Sequence, residues 1–319
     1  MTAAMTAPPA SRFGPGSGEG GRTAGVFASY PQTYLGIQPT VAMVYRWRSR
    51  QAAYTVWGAQ REPMAEEIKQ HLFDHHQDYL SHEDPGVSWE CPYCDRSEIS
   101  YDEEKTIQHF KDHLFGHEDQ FIESGVHVAD DIDRSGNILV KAPQGSPGIK
   151  NARVHFLAPG DIVILVTTNP AARLRLLREE LGSWPALTVV LTTKDNPAED
   201  IAGLDVSNVP IEIVKLSKRL SLSKLGNTIS QVLDEHGRSE GRITVEFDIL
   251  SELIDKFGEK PAFKFLQILT NQFKTVGGIA YYPLDPTAHD ESTLGLLDDS
   301  FDLVIRATET NFIADKDNR

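Results

Sequence analysis

The run Asp161-Ile162-Val163-Ile164-Leu165-Val166-Thr167 decides the fold class of this 319-residue chain. Its five consecutive apolar residues are enough for a strand and too few for a typical helix. Because the side chains of a strand alternate between two faces, a strand that is apolar throughout must be covered on both. The pattern is typical of a central strand in a parallel sheet.

Similar short runs alternate with helical segments through the C-terminal half. This alternation predicts right-handed crossovers and a three-layer α/β/α domain over residues 152–310, with a short tail over 311–319. The predicted strands are residues 161–167, 187–193, 211–216, 243–247, 278–282 and 303–307, and the predicted helices are residues 171–181, 222–235, 260–275 and 291–298.

Charge divides the remainder of the chain. The formal charge of −15 argues against a general affinity for nucleic acid or anionic membranes. Residues 1–63 carry six arginines and +4, residues 64–133 carry −15, and residues 134–319 carry −4. We therefore predict an acidic, α-rich module over 64–123 and a linker rich in turn residues over 124–151.

The N-terminal segment, residues 1–63, has two interpretations. In the first, it is an arginine-rich arm that docks on an acidic surface, such as that of residues 64–133. In the second, translation begins at Met64 and residues 1–63 are not part of the protein. The stretch up to Arg22 is rich in Ala, Pro, Gly and Ser and is expected to be disordered. From composition both interpretations stay open.

No segment approaches the ~18 to 20 apolar residues that a bilayer crossing needs, and the N-terminus lacks the features of a secretory signal. The two cysteines, Cys91 and Cys94, are too close together to form a disulfide framework. We expect a cytoplasmic protein with no membrane partner.

A metal-binding pattern lies in the acidic module: Cys91-x2-Cys94-x14-His109-x3-His113. Two thiolates from a tight turn and two imidazoles from one face of a helix satisfy the tetrahedral preference of Zn²⁺ and leave no open position. We predict a structural Zn²⁺ site with these four ligands. His117 is a third candidate on the same helix, but pairing it with His113 stretches the gap to 18 residues.

The spacing over residues 91–113 resembles that of the C2H2 zinc finger, with a gap of 14 rather than about 12 residues. A finger that reads DNA needs Lys and Arg for the phosphates, whereas the predicted helix 102–118 has five acidic residues and two lysines. We therefore expect a structural or protein-docking module. A second zinc site at His71 and His75, with His76 or His82, is the weaker alternative to exposed helical histidines.

Further along the chain, Gly160-Asp161, the strand 243–248, the helix around 262–266 and the turn Pro286-Thr287-Ala288-His289-Asp290 resemble the RecA superfamily, in particular its KaiC-like branch. The likeness is greatest to uncharacterised haloarchaeal proteins and covers residues 155–310. The likeness implies a degenerate RecA-like core, and because such cores often assemble, self-association is a fair expectation.

The residues after the strand 161–167 do not form a P-loop. They read Thr167-Thr168-Asn169-Pro170-Ala171-Ala172-Arg173, without the glycines and the Lys-Ser/Thr pair that bind phosphates and Mg²⁺. Asp248 stands where the resemblance implies an Mg²⁺-associated acid. We expect Thr168, Asn169, Asp248, Asp285 and His289 at the carboxyl edge of the sheet, acting as helix caps rather than ligands.

The leading hypothesis is a non-enzymatic regulatory or interaction protein with no catalytic residues, a Zn²⁺ cofactor and a protein partner. One alternative is a nucleotide-binding sensor or ATPase-like enzyme. Another is a transcription regulator that contacts DNA through the finger and the arginine-rich arm, although the acidic charge makes DNA binding unexpected.

Overall fold

A computed structural model describes residues 44–83, 86–157, 161–181, 183–197, 208–237 and 241–315, and its main feature is a large, mostly parallel sheet. The described strands are β1 (Tyr45–Arg48), β2 (Tyr54–Gly58), β3 (Leu80–Glu83), β4 (Gly86–Glu90), β5 (Ser97–Ser100), β6 (Glu123–Ser124), β7 (Gly136–Lys141), β8 (Ile162–Val166), β9 (Leu187–Thr192), β10 (Ile211–Lys215), β11 (Ile243–Phe247), β12 (Ile279–Leu284), β13 (Leu303–Ala307) and β14 (Asn311–Asp315). The described helices are α1 (Arg61–His75), α2 (Glu103–Glu118), α3 (Pro147–His155), α4 (Pro170–Glu180), α5 (Leu222–His236), α6 (Leu250–Phe257), α7 (Glu259–Thr275) and α8 (Glu291–Asp298).

The described part of the chain joins eleven strands in one sheet, in the order β10-β9-β8-β11-β12-β7-β13-β14-β2-β1-β6. The seven from β10 to β13 run parallel, and the four that follow are antiparallel. A separate antiparallel sheet has the order β3-β4-β5. The chain thus has the α/β class expected from its sequence.

Helices cover both faces of the parallel strands. In β8, Ile164 belongs to a core cluster with residues of α5, α6 and α7, whereas Val163 and Leu165 pack in a second cluster with Leu174 and Leu177 of α4. All five residues of β8 are buried, as the unbroken apolar run predicts. No described helix has the length and apolar character that a membrane span requires.

The predicted linker over residues 124–151 is wrong. Its residues 136–141 form β7, a buried strand between β12 and β13, and residues 147–151 begin α3. Side chains from both faces of β7 join the two largest core clusters, with Leu139 in one and Ile138 and Val140 in the other. The first strand of the parallel sheet is therefore β7 and not β8.

The prediction that residues 1–63 lie outside the fold is wrong for residues 44–63. They form β1, β2 and the start of α1, and Trp47 and Trp57 are almost completely buried. Residues 1–43, including the stretch expected to be disordered, lie outside the described residues.

The described arginines of the N-terminal segment lie beside acidic side chains of the same chain. Ion pairs join them to acids between residues 118 and 131: Arg46 with Glu123 and Asp131, Arg48 with Asp131, Arg50 with Glu118, and Arg61 with Asp119.

The acidic module over 64–123 is continuous with the α/β body and not a separate domain. It contains α1, α2 and the β3-β4-β5 sheet, and its core includes Met64, Ile68 and Phe110 together with Trp47 of β1 and Ile313 of β14. The predicted tail is also wrong for residues 311–315, which form β14 between β13 and β2. One sheet therefore links both halves of the described chain.

Candidate metal centre and carboxyl edge of the sheet

A tight turn between β4 and β5 presents both cysteines. The Cys91 N–H donates to the Arg96 carbonyl at 2.8 Å and closes the turn. The Tyr93 N–H lies 3.3 Å from Cys91 Sγ, where it can donate to the sulfur. Cys91 is buried and Cys94 is exposed.

Helix α2 brings the histidines to this turn. It begins at its N-cap, Asp102, whose side chain accepts from the Lys105 N–H. Phe110 and Leu114 are fully buried on one side of the helix, and Trp89 of β4 stacks on Phe110. This packing fixes the rotation of α2, so that His113 and His117 lie against the cysteine turn.

The donor atoms of Cys91, Cys94, His113 and His117 all lie within 4.8 Å of one another. The two Nε2 atoms are 3.3 Å apart, Cys91 Sγ is 3.5 Å from His117 Nε2, and Cys94 Sγ is 3.4 Å from His113 Nε2. Around tetrahedral Zn²⁺, the usual bond lengths place two nitrogens about 3.3 Å apart and a sulfur about 3.5 Å from a nitrogen. The four side chains thus have the geometry and the donor set of a closed zinc site.

His109 does not belong to this group, and its prediction as a ligand is wrong. Its Nδ1 atom lies 2.9 Å from a carboxylate oxygen of Glu98 on β5. His109 is one helical turn before His113 in α2 and does not reach the cysteine turn. The fourth position is taken by His117, so the gap from Cys94 to the first histidine of the cluster, His113, is 18 residues.

Burial affects the ionisable groups of the cluster. Burial raises the pKa of the Cys91 thiol, and burial together with the neighbouring His117 lowers the pKa of His113. Trp89 stacks on the His113 ring at 5.1 Å and limits its rotation. Two imidazole nitrogens and two sulfurs at these distances can all bind a single Zn²⁺ ion.

The histidines of the alternative second site contact other side chains. His71 stacks on Tyr54 at 3.7 Å and lies 4.4 Å from His75. His76 Nε2 is 2.7 Å from the Tyr93 hydroxyl, and His82 lies 3.2 Å from Glu103. These four do not form a metal cluster in the described chain, where the other candidate group is Glu212, Glu235 and His236.

At the carboxyl edge of the parallel sheet, Asp248 and Glu246 are held by two arginines. Arg153 of α3 contacts Glu246 at 2.8 Å and Asp248 at 2.7 Å, and Arg173 of α4 contacts the same carboxylates at 2.9 and 2.7 Å. Burial raises the pKa of Glu246, the two guanidinium charges oppose that shift, and the Tyr281 hydroxyl donates to its other oxygen at 3.0 Å. Glu246 is buried, the other three side chains are partly buried, and the network has no net formal charge.

Among the five residues predicted as caps, Asp285 is a cap, and the prediction is wrong for Asp248, His289 and Thr168, which contact other side chains. Asp285 accepts from the Thr287 N–H and from the Gln144 N–H, which confirms a turn role. Asp290 caps α8 by accepting from the Thr293 N–H. His289 Nε2 lies 2.9 Å from the Ser251 hydroxyl, and Thr168 donates to Glu252. Asn169 precedes Pro170 at the start of α4, but its side chain makes no cap bond, so that expectation is wrong.

The turn that joins β7, the first parallel strand, to α3 is residues 142–146, which the sequence interpretation assigned to the linker. Its Gln144 N–H donates to Asp285 and its Ser146 N–H to the Pro143 carbonyl. The Ile149 N–H donates to the Ser146 hydroxyl, and Lys150 forms an ion pair with Glu180 of α4. These groups are engaged within the protein.

Gly148, in the first turn of α3, allows a close approach to β13. A Cβ atom at this position would lie 2.2 Å from the Ala307 carbonyl oxygen. The glycine therefore serves helix–strand packing.

No curated protein matches the chain. Among solved structures, a protein of Pyrococcus horikoshii OT3 determined in a structural study is similar, at 13% identity and a TM-score of 0.39, over 58% of this chain and 89% of that one. Residues 135–307, from the start of β7 to the end of β13, match a family described as "Family of unknown function (DUF7504)". The match spans more than half of the 319 residues, and the chain therefore belongs to this family of unknown function.

Proposed function

We propose that this protein is a non-enzymatic regulatory or interaction component, in which a Zn²⁺-stabilised module is joined to a RecA-like α/β body without a P-loop. The observation that carries the proposal is that the donor atoms of Cys91, Cys94, His113 and His117 all lie within 4.8 Å of one another. Two thiolates and two imidazoles fill all four positions of Zn²⁺, so the ion stabilises the fold and has no position for substrate. A cytoplasmic setting, which keeps thiols reduced, suits such a site.

A non-catalytic role for the α/β body is supported by its carboxyl edge. A P-loop offers free backbone N–H groups and a lysine to the phosphates. Here the N–H groups of Gln144, Ser146 and Ile149 donate to protein acceptors, and Lys150 pairs with Glu180. Asp248, the acid expected to face Mg²⁺, is held by Arg153 and Arg173 instead.

A protein partner is favoured over DNA because the described arginines of the N-terminal segment are already engaged. Arg46, Arg48, Arg50 and Arg61 pair with acids of the same chain, and using them for phosphate contacts would leave those acids uncompensated.

The proposal is tested by metal analysis and calorimetry on the purified full chain. We expect one Zn²⁺ per chain, no heat on addition of ATP with Mg²⁺, and no binding to duplex DNA at low salt, where electrostatic attraction is strongest. Protein without stoichiometric metal would contradict the zinc module. Micromolar ATP binding that is lost in Asp248→Ala would favour the nucleotide sensor, and DNA binding that weakens with salt would favour the transcription regulator.

A further inference from the structure

The strand β5 has an open edge. It pairs with β4 through the register Val87↔Ser100 to Glu90↔Ser97, and no other described strand pairs with it. The unpaired N–H and C=O groups of an edge strand are a template for an additional strand. Proteins usually protect such edges with charges, prolines or a covering element.

Two large side chains at this edge are exposed. Ile99 is 70% exposed and Tyr101 is 83% exposed, the highest values among the large hydrophobic residues described. Ile99 lies within β5, and Tyr101 follows the strand directly, at a bend. The opposite side of β5 faces α2, where Glu98 meets His109.

An open cleft of about 580 Å³ runs beside the same strand. Glu98 lines it from β5 and Arg96 from the cysteine turn. The residues from α2 include His109 and the two histidines of the metal cluster, His113 and His117. At Gly116, also in the lining, a Cβ atom would meet nothing within 4 Å. A strand added to β5 would direct alternate side chains into this cleft and toward Ile99 and Tyr101.

The charge around β5 indicates which kind of strand can pair with its open edge. Residues 90–105 contain six acidic and two basic residues: Glu90, Asp95, Glu98, Asp102, Glu103 and Glu104 against Arg96 and Lys105. A second copy of the chain would bring its own six acids to the dyad, which opposes pairing of β5 with itself. A cationic strand is complementary to the same surface.

We propose that β5 receives an extended, cationic segment of a partner protein as a fourth strand, with its basic side chains at the acidic rim and its apolar side chains against Ile99 and Tyr101. This inference rests on the proposed role as an interaction protein. It adds the surface and the chemistry of the partner.

The test uses the full-length protein with its metal content measured, titrated with a synthetic peptide of about six residues that alternates lysine and valine. Controls are a peptide alternating glutamate and valine, and a lysine–valine peptide with N-methylated backbone, which cannot donate to a strand. Ile99→Lys and Tyr101→Ala alter exposed side chains and should leave folding unchanged. Ile268→Lys is the matched control, since Ile268 is 63% exposed on α7.

We expect binding of the lysine–valine peptide that weakens at least about tenfold in Ile99→Lys, stays unchanged in Ile268→Lys and falls with added salt. The acidic and N-methylated peptides should not bind. Absence of binding to metal-loaded protein, equal binding to Ile99→Lys, or dimerisation lost in Ile99→Lys would overturn the proposal. Metal analysis of the same sample tests the zinc module independently. A failure of the strand-docking proposal can therefore be distinguished from a failure of the proposed function.

Discussion

At the scale of single residues, the lengths of β5 and α2 bring His113 to the cysteine turn. β5 leads the chain away from the cysteine turn by four residues, or about 13 Å. Helix α2 returns at about 1.5 Å per residue and needs about nine residues to cover that distance. Counted from Glu103, this reaches residue 112, next to His113. His109 lies one helical turn earlier and contacts Glu98, and His117 lies one turn later and completes the cluster. Sequence spacing alone allows either His109 with His113 or His113 with His117, because both pairs are four residues apart on the same helix.

The first prediction concerns this choice of ligands. His117→Ala should reduce zinc affinity by more than the about 10- to 100-fold typical of an outer-shell partner, because a direct ligand is removed. His109→Ala should retain full zinc content, because its ring contacts Glu98. Competition with a chelator on both purified variants measures the difference. Equal zinc loss in the two variants would contradict the assignment.

The second prediction concerns the four-charge network at the sheet edge. Arg173→Met leaves Glu246 and Asp248 with one guanidinium in a buried site, and should cost about 3–5 kcal/mol of unfolding free energy. Adding Asp248→Asn removes the surplus negative charge and should recover part of this loss. Denaturant unfolding of both variants gives the values.

The matched control is Arg175→Met on the same helix, at an exposed position, with an expected change of about 0.5 kcal/mol or less. A cost for Arg173→Met no larger than that of the control would show that the network does not hold the edge together.

At the scale of elements, the parallel strands and their helices are readable from the sequence, and the flanking strands are not. β11, β13 and α8 have the predicted bounds because apolar runs and caps mark them. β7 was missed because its short apolar run lies between segments rich in Asp, Gly and Pro. β1 and β2 were missed because their core is two tryptophans without a strand period, and burial of these residues depends on β14 and α1, which are distant in sequence.

The third prediction tests whether β2 belongs to the core. Trp57→Ala should destabilise the protein by about 3–5 kcal/mol, since its fully buried indole would leave a cavity. Tyr101→Ala, which truncates an exposed aromatic, should change stability by about 0.5 kcal/mol or less. Thermal or denaturant unfolding compares the two. A Trp57→Ala protein as stable as Tyr101→Ala would exclude β2 from the core.

At the scale of the whole molecule, the acidic module and the α/β body share a core, so the described part of the chain is expected to unfold as a unit. Its free energy of unfolding should depend on pH through a pair of buried histidines. His127 precedes β7, and its ring stacks at 4.2 Å on His155 of α3. Burial, with the neighbouring His127, holds the pKa of His155 well below 6.5, and burial lowers the pKa of His127. The His127 Nδ1 atom accepts from the Ala129 N–H, and His155 Nε2 has no hydrogen-bond partner in the described chain.

The fourth prediction follows from these shifts. Below pH 6.5 the unfolded chain takes up protons that the folded pair does not, so stability is complete above that value and falls as the pH is lowered further. In His155→Phe the ring contact remains but one titrating group is gone, and the loss of stability between pH 7.5 and 5.5 should be smaller than in the wild type. Because both proteins keep the zinc ligands, the difference isolates the pair. Parallel pH profiles of unfolding free energy would contradict it.

The most direct test of the central claim is X-ray absorption at the zinc edge on the full-length protein as purified, combined with metal quantification. The account predicts one zinc per chain, with two sulfur neighbours at about 2.3 Å and two imidazole nitrogens at about 2.0–2.1 Å. It also predicts that this signal disappears in His117→Ala and persists in His109→Ala. A protein without stoichiometric zinc, or a zinc shell without sulfur, would contradict it.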